Sequence, residues 1–373
     1  MKNVLILFFP LESTFGGGER HTLRLVEHLS KRGYVFYLAS SCRVLLEKFH
    51  ERRWPSQKTW SPPEPTSKWS LFLFPWLFIP GWFWLTLVLF RYRFGRGVKT
   101  VYCLSLTEKI LITPIARLLN MRVVWMEHVG FHPWLTRSPL RFLYRWWSGL
   151  AKIVVISEAL KKQLRELGLP ENRISVIYYG FDFGEIGLGD KPAPPLHRVQ
   201  YVVGSVCRLE QEKGLEYLII ALAKVRPMIP NLTLRLVGEG SDRKRLEWLA
   251  KNQGVHDITQ FVGYQSNPRE WMKDFDVLVL PSIRRESFGA VLIEALAIER
   301  PVIASRLEGI PEIVHDGQTG LLTTPGRSDE IAQALITLYQ DPQLARQLAR
   351  NGRLFAEESF PVEKMIDQFS HIL

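Results

Sequence analysis

Two carboxylates, Glu286 and Glu294, stand in the run Glu286-Ser287-Phe288-Gly289-Ala290-Val291-Leu292-Ile293-Glu294. Residues 277–280 upstream read as a buried strand, Pro281-Ser282 as its exit, and 288–298 as a helix. Glu286 then sits on the loop, and Glu294 about two turns into the helix, with its side chain leaning back toward the helix start. Both acids can meet ligand hydroxyls there, while the amides of Phe288, Gly289 and Ala290 at the helix N-terminus favour phosphate. A second group, Arg208 and Lys213 in Arg208-Leu209-Glu210-Gln211-Glu212-Lys213-Gly214, follows another strand and can neutralise a diphosphate. A third, Gly16-Gly17-Gly18-Glu19, lies after the first strand and opens a helix, where glycines let backbone approach an anion. It is neither the dinucleotide fingerprint nor a P-loop. A nucleotide sugar offers what these groups want: a diphosphate for amides and cations, hydroxyls for the acids.

The elements that must position these residues are read from periodicity. Strands are expected at 4–9, 34–39, 98–104, 122–126 and 152–156, and again at 199–206, 233–237, 258–262, 277–280 and 302–304. Helical patterns lie between them, at 19–31, 215–225, 242–251, 288–298 and 329–339, with a last short helix at 361–373. Such alternation means parallel sheets covered on both faces. Residues 185–197 are rich in glycine and proline and read as a linker; 54–68 carry four prolines and read as an irregular loop. The expected fold class is α/β, as two doubly wound Rossmann-like domains facing a cleft. The N-terminal domain covers 1–190 and binds acceptor. The C-terminal domain covers 198–355, and 356–373 form a helix packing back on the first domain.

The chain has 373 residues, 46% hydrophobic and 23% charged, which suits two folded domains and excludes disorder. Cys42, Cys103 and Cys207 are too few and too scattered for a disulfide framework or a zinc site, and a reducing compartment follows. The opening MKNVLILFFP reads as a strand rather than a signal peptide. The net charge of +11 is uneven: residues 1–196 hold 27 basic and 14 acidic residues, the remainder 21 and 23. Ten of the twelve tryptophans also precede residue 150, so the basic half is the aromatic half. That pairing fits an anionic membrane better than nucleic acid.

Residues 71–90 are twenty uncharged residues, sixteen of them Leu, Ile, Val, Phe or Trp. The length could span a bilayer as a helix, but Pro75, Pro80 and Gly81 interrupt it, and a span would split the first sheet across the membrane. A kinked or re-entrant segment at the membrane interface is expected within an apolar insertion at 69–90. Arg91, Arg93, Arg96 and Lys99 behind it would bind lipid phosphates. In 137–147, Arg137, Arg141 and Arg145 form a cationic ridge beside Phe142 and Trp146. Membrane contact is thus assigned to 69–99 and 137–147.

The chain resembles the family 4 glycosyltransferases of GT-B fold. The resemblance rests on Gly16-Gly17-Gly18, Ile156-Ser157-Glu158, Tyr179-Gly180-Phe181-Asp182, Arg208 with Lys213, Val237-Gly238-Glu239-Gly240, the Glu286–Glu294 pair, Pro301-Val302-Ile303-Ala304-Ser305 and Gly320-Leu321-Leu322. It implies retaining transfer of sugar from a nucleoside diphosphate sugar, without metal and without a cofactor. Arg208 and Lys213 would hold the diphosphate, Glu286 the sugar hydroxyls and Glu294 the ribose, with Gly238, Ser287, Phe288 and Gly289 among the donor-binding positions. His128 matches the histidine that lines the family's donor-sugar pocket; His128, Arg208, Lys213 and Glu286 would then be the catalytic set. The apolar 69–90 segment exceeds what the family needs and makes a lipid-linked acceptor attractive, in polysaccharide or glycolipid assembly. The protein would work in the cytoplasm, peripheral or monotopic on the membrane face. A nucleotide-sugar epimerase of the same architecture and a non-catalytic nucleotide-binding scaffold stay open as alternatives.

Overall fold

Val4, Leu5, Ile6 and Leu7 are four successive buried residues in one strand, which requires a sheet covered on both faces. The computed structural model describes residues 2–10, 16–62, 68–128, 140–186 and 200–373. It divides into two units, Met1–Gly180 with Glu363–Leu373, and Phe181–Val362.

The first unit runs β1 (Lys2–Phe8), α1 (Gly17–Lys31), β2 (Tyr34–Ser40), α2 (Arg43–Glu51), β3 (Ser56–Lys58), α3 (Lys68–Gly95), β4 (Thr100–Cys103) and α4 (Leu106–Leu118). It continues with β5 (Arg122–Glu127), α5 (Leu140–Ser148), β6 (Lys152–Val155), α6 (Glu158–Glu166) and β7 (Ile174–Val176). The sheet order is β3-β2-β1-β4-β5-β6-β7, every pair parallel. The order reverses between β1 and β4, so a crevice opens beyond their carboxyl ends.

The second unit holds α7 (Phe183–Ile186), β8 (Tyr201–Val206), α8 (Leu215–Val225), β9 (Leu232–Val237), α9 (Arg243–Asn252), β10 (Thr259–Gly263), α10 (Arg269–Met272) and β11 (Val277–Leu280). After these come α11 (Ala290–Ala297), β12 (Val302–Ser305), β13 (Leu321–Thr323), α12 (Ser328–Gln340) and α13 (Pro342–Ser359). Its all-parallel sheet is ordered β10-β9-β8-β11-β12-β13, and its reversal lies between β8 and β11. α8 and α12 cover one face through Leu218, Leu222, Ile331 and Leu335, packed with Val203, Leu234 and Val279 of the strands.

The last helix, α14 (Val362–Ile372), sits mostly in the first unit. Phe369 is fully buried against His21 and Tyr102, and the Gly180 N–H points at the Met365 sulfur.

Several expectations need correction. The units divide at Gly180/Phe181, not between 190 and 198, because Phe181 bonds to Phe360 and Val362 of its own unit. The linker at 185–197 lies, from residue 187 on, outside the described residues. Residues 356–362 belong to the second unit: α13 runs on to Ser359, and Phe360 packs on Phe288 and Phe355. Within 54–68 there is a strand, β3, paired with β2; its three residues are all exposed, so no apolar alternation marks it. The apolar segment, expected to be kinked or re-entrant, is one continuous helix through Pro75 and Pro80. Each proline removes a single ladder bond from a helix of 28 residues. Among the described residues no helix is long and apolar enough to cross a membrane. The expected ridge at 137–147 is described from Leu140 onward, as α5.

Candidate active site

In the second unit the chemistry collects where the sheet order reverses. β8 ends at Val206, and the Cys207 and Leu209 amides keep bonding to Val237 and Glu239, so Arg208 emerges at the strand end. One turn later Gly214 adopts φ +62°, where a Cβ would lie 2.3 Å from the Pro281 carbonyl oxygen. Only glycine lets the loop press this closely against the exit of β11. Ile283 and Arg284 N–H groups both donate to the Glu212 carbonyl and pin the two loops together.

Lys213 thereby meets Glu286, with Nζ donating to Oε2 at 2.7 Å, and the Ser282 hydroxyl donates to the same oxygen at 2.9 Å. Both charged side chains are only about one-eighth exposed, at 12% and 13%. Burial alone would lower the Lys213 pKa; the Glu286 carboxylate outweighs it by charge and hydrogen bond, so the ammonium persists. Arg208 is different. It is mostly exposed and pairs with Glu212 at 2.8 Å, so an incoming anion must compete with that carboxylate. The Cys207 thiol is pushed up to about 11 by burial and is no nucleophile at neutral pH.

Gly238, at φ +141°, and Gly240 would each drive a Cβ into a carbonyl oxygen, of Cys207 at 1.9 Å and Leu209 at 2.2 Å. Gly289 caps α11 at φ +80°. Ser287 and Phe288 are buried; the Phe288 ring packs edge-on to Phe360, so its side chain is core and only its backbone is left for a ligand. Glu294 is the fifth residue of α11 and part-buried. The structure thus joins Lys213 and Glu286 in direct contact and places Arg208 on the same loop with a partner of its own. Ser282 and Glu212 have no assigned role in the sequence reading; the spacing of Glu212 four residues after Arg208 is the one signal that could have found it. The chain's one Asp-x-Asp triplet, Asp274-Phe275-Asp276, lies at the opposite end of the strands. There Asp276 accepts from the Val202 amide, and Asp274 pairs with Arg235. Among the described residues no acid, histidine and cysteine cluster could hold a metal ion.

In the first unit the Gly16 N–H is taken by the Glu19 carboxylate at 2.8 Å, which caps α1. A Cβ on Gly18 would stand 3.2 Å from the His128 ring, so the glycine lets α1 pass close over the histidine. His128 follows β5, and its Nδ1 is 2.7 Å from the Tyr179 hydroxyl. Gly17 lies near the same tyrosine. His21 stacks on Tyr179 with ring centroids 4.6 Å apart and meets His128 edge-on. Burial first, then the Lys109 charge, lowers the His128 pKa to about 3; His21 is also driven well down by burial. Both imidazoles are therefore neutral at physiological pH, and each keeps a buried Nε2 without a partner among the described residues. His21 escapes a sequence reading because a histidine on a buried helix stripe looks like any other core position.

Two all-parallel sheets, each with its polar groups at the carboxyl strand ends, are the architecture of the GT-B proteins. Residues 15–185 match Glycosyltransferase Family 4 and residues 190–355 match Glycosyl transferases group 1, and the chain belongs to this glycosyltransferase family. The N-acetyl-alpha-D-glucosaminyl L-malate synthase of Bacillus anthracis is 29% identical over 59% of this chain and 58% of its own. The lipopolysaccharide core biosynthesis glycosyltransferase LpsE of Rhizobium meliloti is 32% identical over 46% of this chain and 49% of its own. The chain spans about half the length of the curated relatives it matches. The crystal structure of Anabaena Alr3699/HepE in complex with UDP superposes with a TM-score of 0.81, covering 100% of this chain and 99% of that one at 22% identity, a likeness of fold.

Proposed function

We propose that the protein transfers a sugar, with retention and without metal, from a nucleoside diphosphate sugar to a lipid-linked acceptor in glycan assembly. The carrying observation is the Lys213–Glu286–Ser282 contact beyond β8 and β11. An ammonium held charged by a carboxylate is suited to stabilise a leaving diphosphate, and that carboxylate, anchored by two donors, can still accept a sugar hydroxyl. Arg208 adds a second cation once a phosphate displaces Glu212. The Gly238 amide is occupied by the Gly263 carbonyl, so Gly238 serves by close approach rather than as a donor. His128, kept neutral, offers a sugar hydroxyl a hydrogen-bonding nitrogen without the charge that would oppose an oxocarbenium-like centre.

The acceptor class is inferred from the surface. Trp76, Ile79, Phe83, Leu87, Phe90 and Phe94 recur every three or four residues along α3 and are all exposed, while Leu85, Leu89 and Tyr92 pack inward. α5 adds exposed Phe142 and Trp146. Arg91, Arg93, Arg96 and Arg141 lie among these rings, a pattern suited to an anionic bilayer surface. Free Cys42, Cys103 and Cys207 fit the cytoplasmic face.

The test is transfer from uridine-, guanosine- and adenosine-diphosphate sugars to a lipid extract, with EDTA present and the anomeric configuration read by NMR. Retained configuration and EDTA resistance are expected, with Glu286→Gln and Lys213→Met reducing turnover at least a hundredfold. Inversion, a metal requirement or near-normal turnover of both variants would overturn the reading.

A further inference from the structure

A charged cluster under His128 has no part in the scheme above. Lys109 of α4 and Glu127, the last residue of β5, form an ion pair at 2.7 Å with side chains only 2% and 9% exposed. The Lys109 ammonium also donates to the Met126 carbonyl at 2.7 Å, and the Tyr144 hydroxyl of α5 donates to the same Glu127 oxygen. One turn along α4, Thr113 accepts from the Trp125 indole at 2.9 Å. The final three residues of β5 are therefore each tied to a side chain or backbone partner, and a single carboxylate oxygen joins β5, α4 and α5.

Stability does not explain this arrangement. Two desolvated charges gain little over well-packed apolar groups of the same volume, so a buried pair is a poor way to hold a core together. What it does supply is a fixed direction for the strand end, since hydrogen bonds set geometry where apolar packing tolerates slippage. The residue directed by that strand end is His128, whose ring must fit between Tyr179 and the close approach of Gly18. Misplacing a reacting group by about 1 Å costs on the order of a hundredfold in rate.

Building on the glycosyl-transfer reading, we propose that Lys109, Glu127 and Tyr144 are positioning residues for His128, clamping the end of β5 between α4 and α5. None of the three touches the sugar; they act through the imidazole.

The experiment is histidine-labelled NMR on the full chain at one fixed neutral pH, with the His128 signal identified by His128→Gln. Two variants are compared with wild type: Tyr144→Phe, and the paired apolar replacement Lys109→Met with Glu127→Leu. The second removes the clamp but keeps the buried volume, so it remains folded on the argument above, which circular dichroism checks. In both variants the His128 imidazole signal is expected to shift or broaden by exchange, with the described histidines of the second unit, His256 and His315, unmoved. The kcat for transfer is expected to fall tenfold or more with donor KM within about threefold. An unaltered His128 signal in both folded variants would overturn the proposal, whatever happens to turnover. The spectrum needs no substrate, so absence of transfer in wild type would sink only the transfer reading and leave the positioning result standing.

Discussion

Removing one member of the Lys213–Glu286 pair at a time measures how tightly the second unit has committed charge to its candidate site. The pair is close, at 2.7 Å, and nearly buried. At an effective dielectric of about 20, unit charges 4 Å apart attract by roughly 4 kcal/mol, most of it offset by desolvation of the pair. Lys213→Met strands a buried carboxylate that keeps only the Ser282 hydroxyl, and should cost about 3 kcal/mol. Glu286→Gln leaves an amide oxygen to accept from the ammonium and should cost about 1.5 kcal/mol. The double variant buries no lone charge and should be about 2 kcal/mol better than the combined singles, the coupling that a contact pair shows. Two units make a whole-chain unfolding midpoint ambiguous, so the assay is hydrogen exchange of the most protected amides of β11. Lys213→Met should accelerate them on the order of a hundredfold. Singles that add within about 0.5 kcal/mol would show that ammonium and carboxylate act separately, and the geometry would have been misread.

His21 and His128 are neutral in the fold, with pKa values below the unfolded value near 6.5, so the unfolded chain takes up protons first as pH falls. Each contribution is complete above that value and is lost as pH falls, that of His128 toward about 3, at up to about 1.4 kcal/mol per pH unit for each ring. Calorimetry between pH 7 and 5 should show falling stability, flattened in His21→Phe; an unchanged slope would refute the burial argument. Trp76→Ser, Phe83→Ser and Phe90→Ser combined should cut co-sedimentation with phosphatidylglycerol vesicles at least a hundredfold, since each exposed ring is worth about 1.5–3 kcal/mol when buried. Gly238→Ala should lower the melting temperature of the second unit and, on the proposed function, abolish stabilisation by an added nucleoside diphosphate, as the new methyl meets the Cys207 carbonyl; scanning fluorimetry reads both.

Much of the fold is legible in the residues because strands buried on both faces are continuous apolar runs. Val277 to Leu280 are all fully buried, and Val4 to Leu7 nearly so. What escapes is the element without a buried face. β3 is three exposed polar residues that exist as a strand only because β2 offers a free edge. α3 escapes for the opposite reason: proline is read locally, whereas a long helix spreads the loss over many intact bonds. At the candidate site, Lys213 and Glu286 can be placed near each other by topology alone, as they follow neighbouring strands. Which cation takes which acid cannot, since Arg208 follows the same strand as Lys213; rotamers and the Ser282 hydroxyl decide it. The stack of His21 on Tyr179 joins residues from opposite ends of the first unit, beyond the reach of any local pattern.

The touching loops after β8, β9 and β11 carry a consequence for divergence among related chains. At Gly214, Gly238 and Gly240 a methyl group would fall within 2.3 Å of a neighbouring carbonyl oxygen. A floor made of main chain offers mutation nothing to exchange, so on the proposed function selectivity for one sugar carrier over another would have to be written on the rim, in side chains such as Arg208, Glu239 and Ser241. Innovation is thereby channelled to a few surface letters while the foundation stays mute.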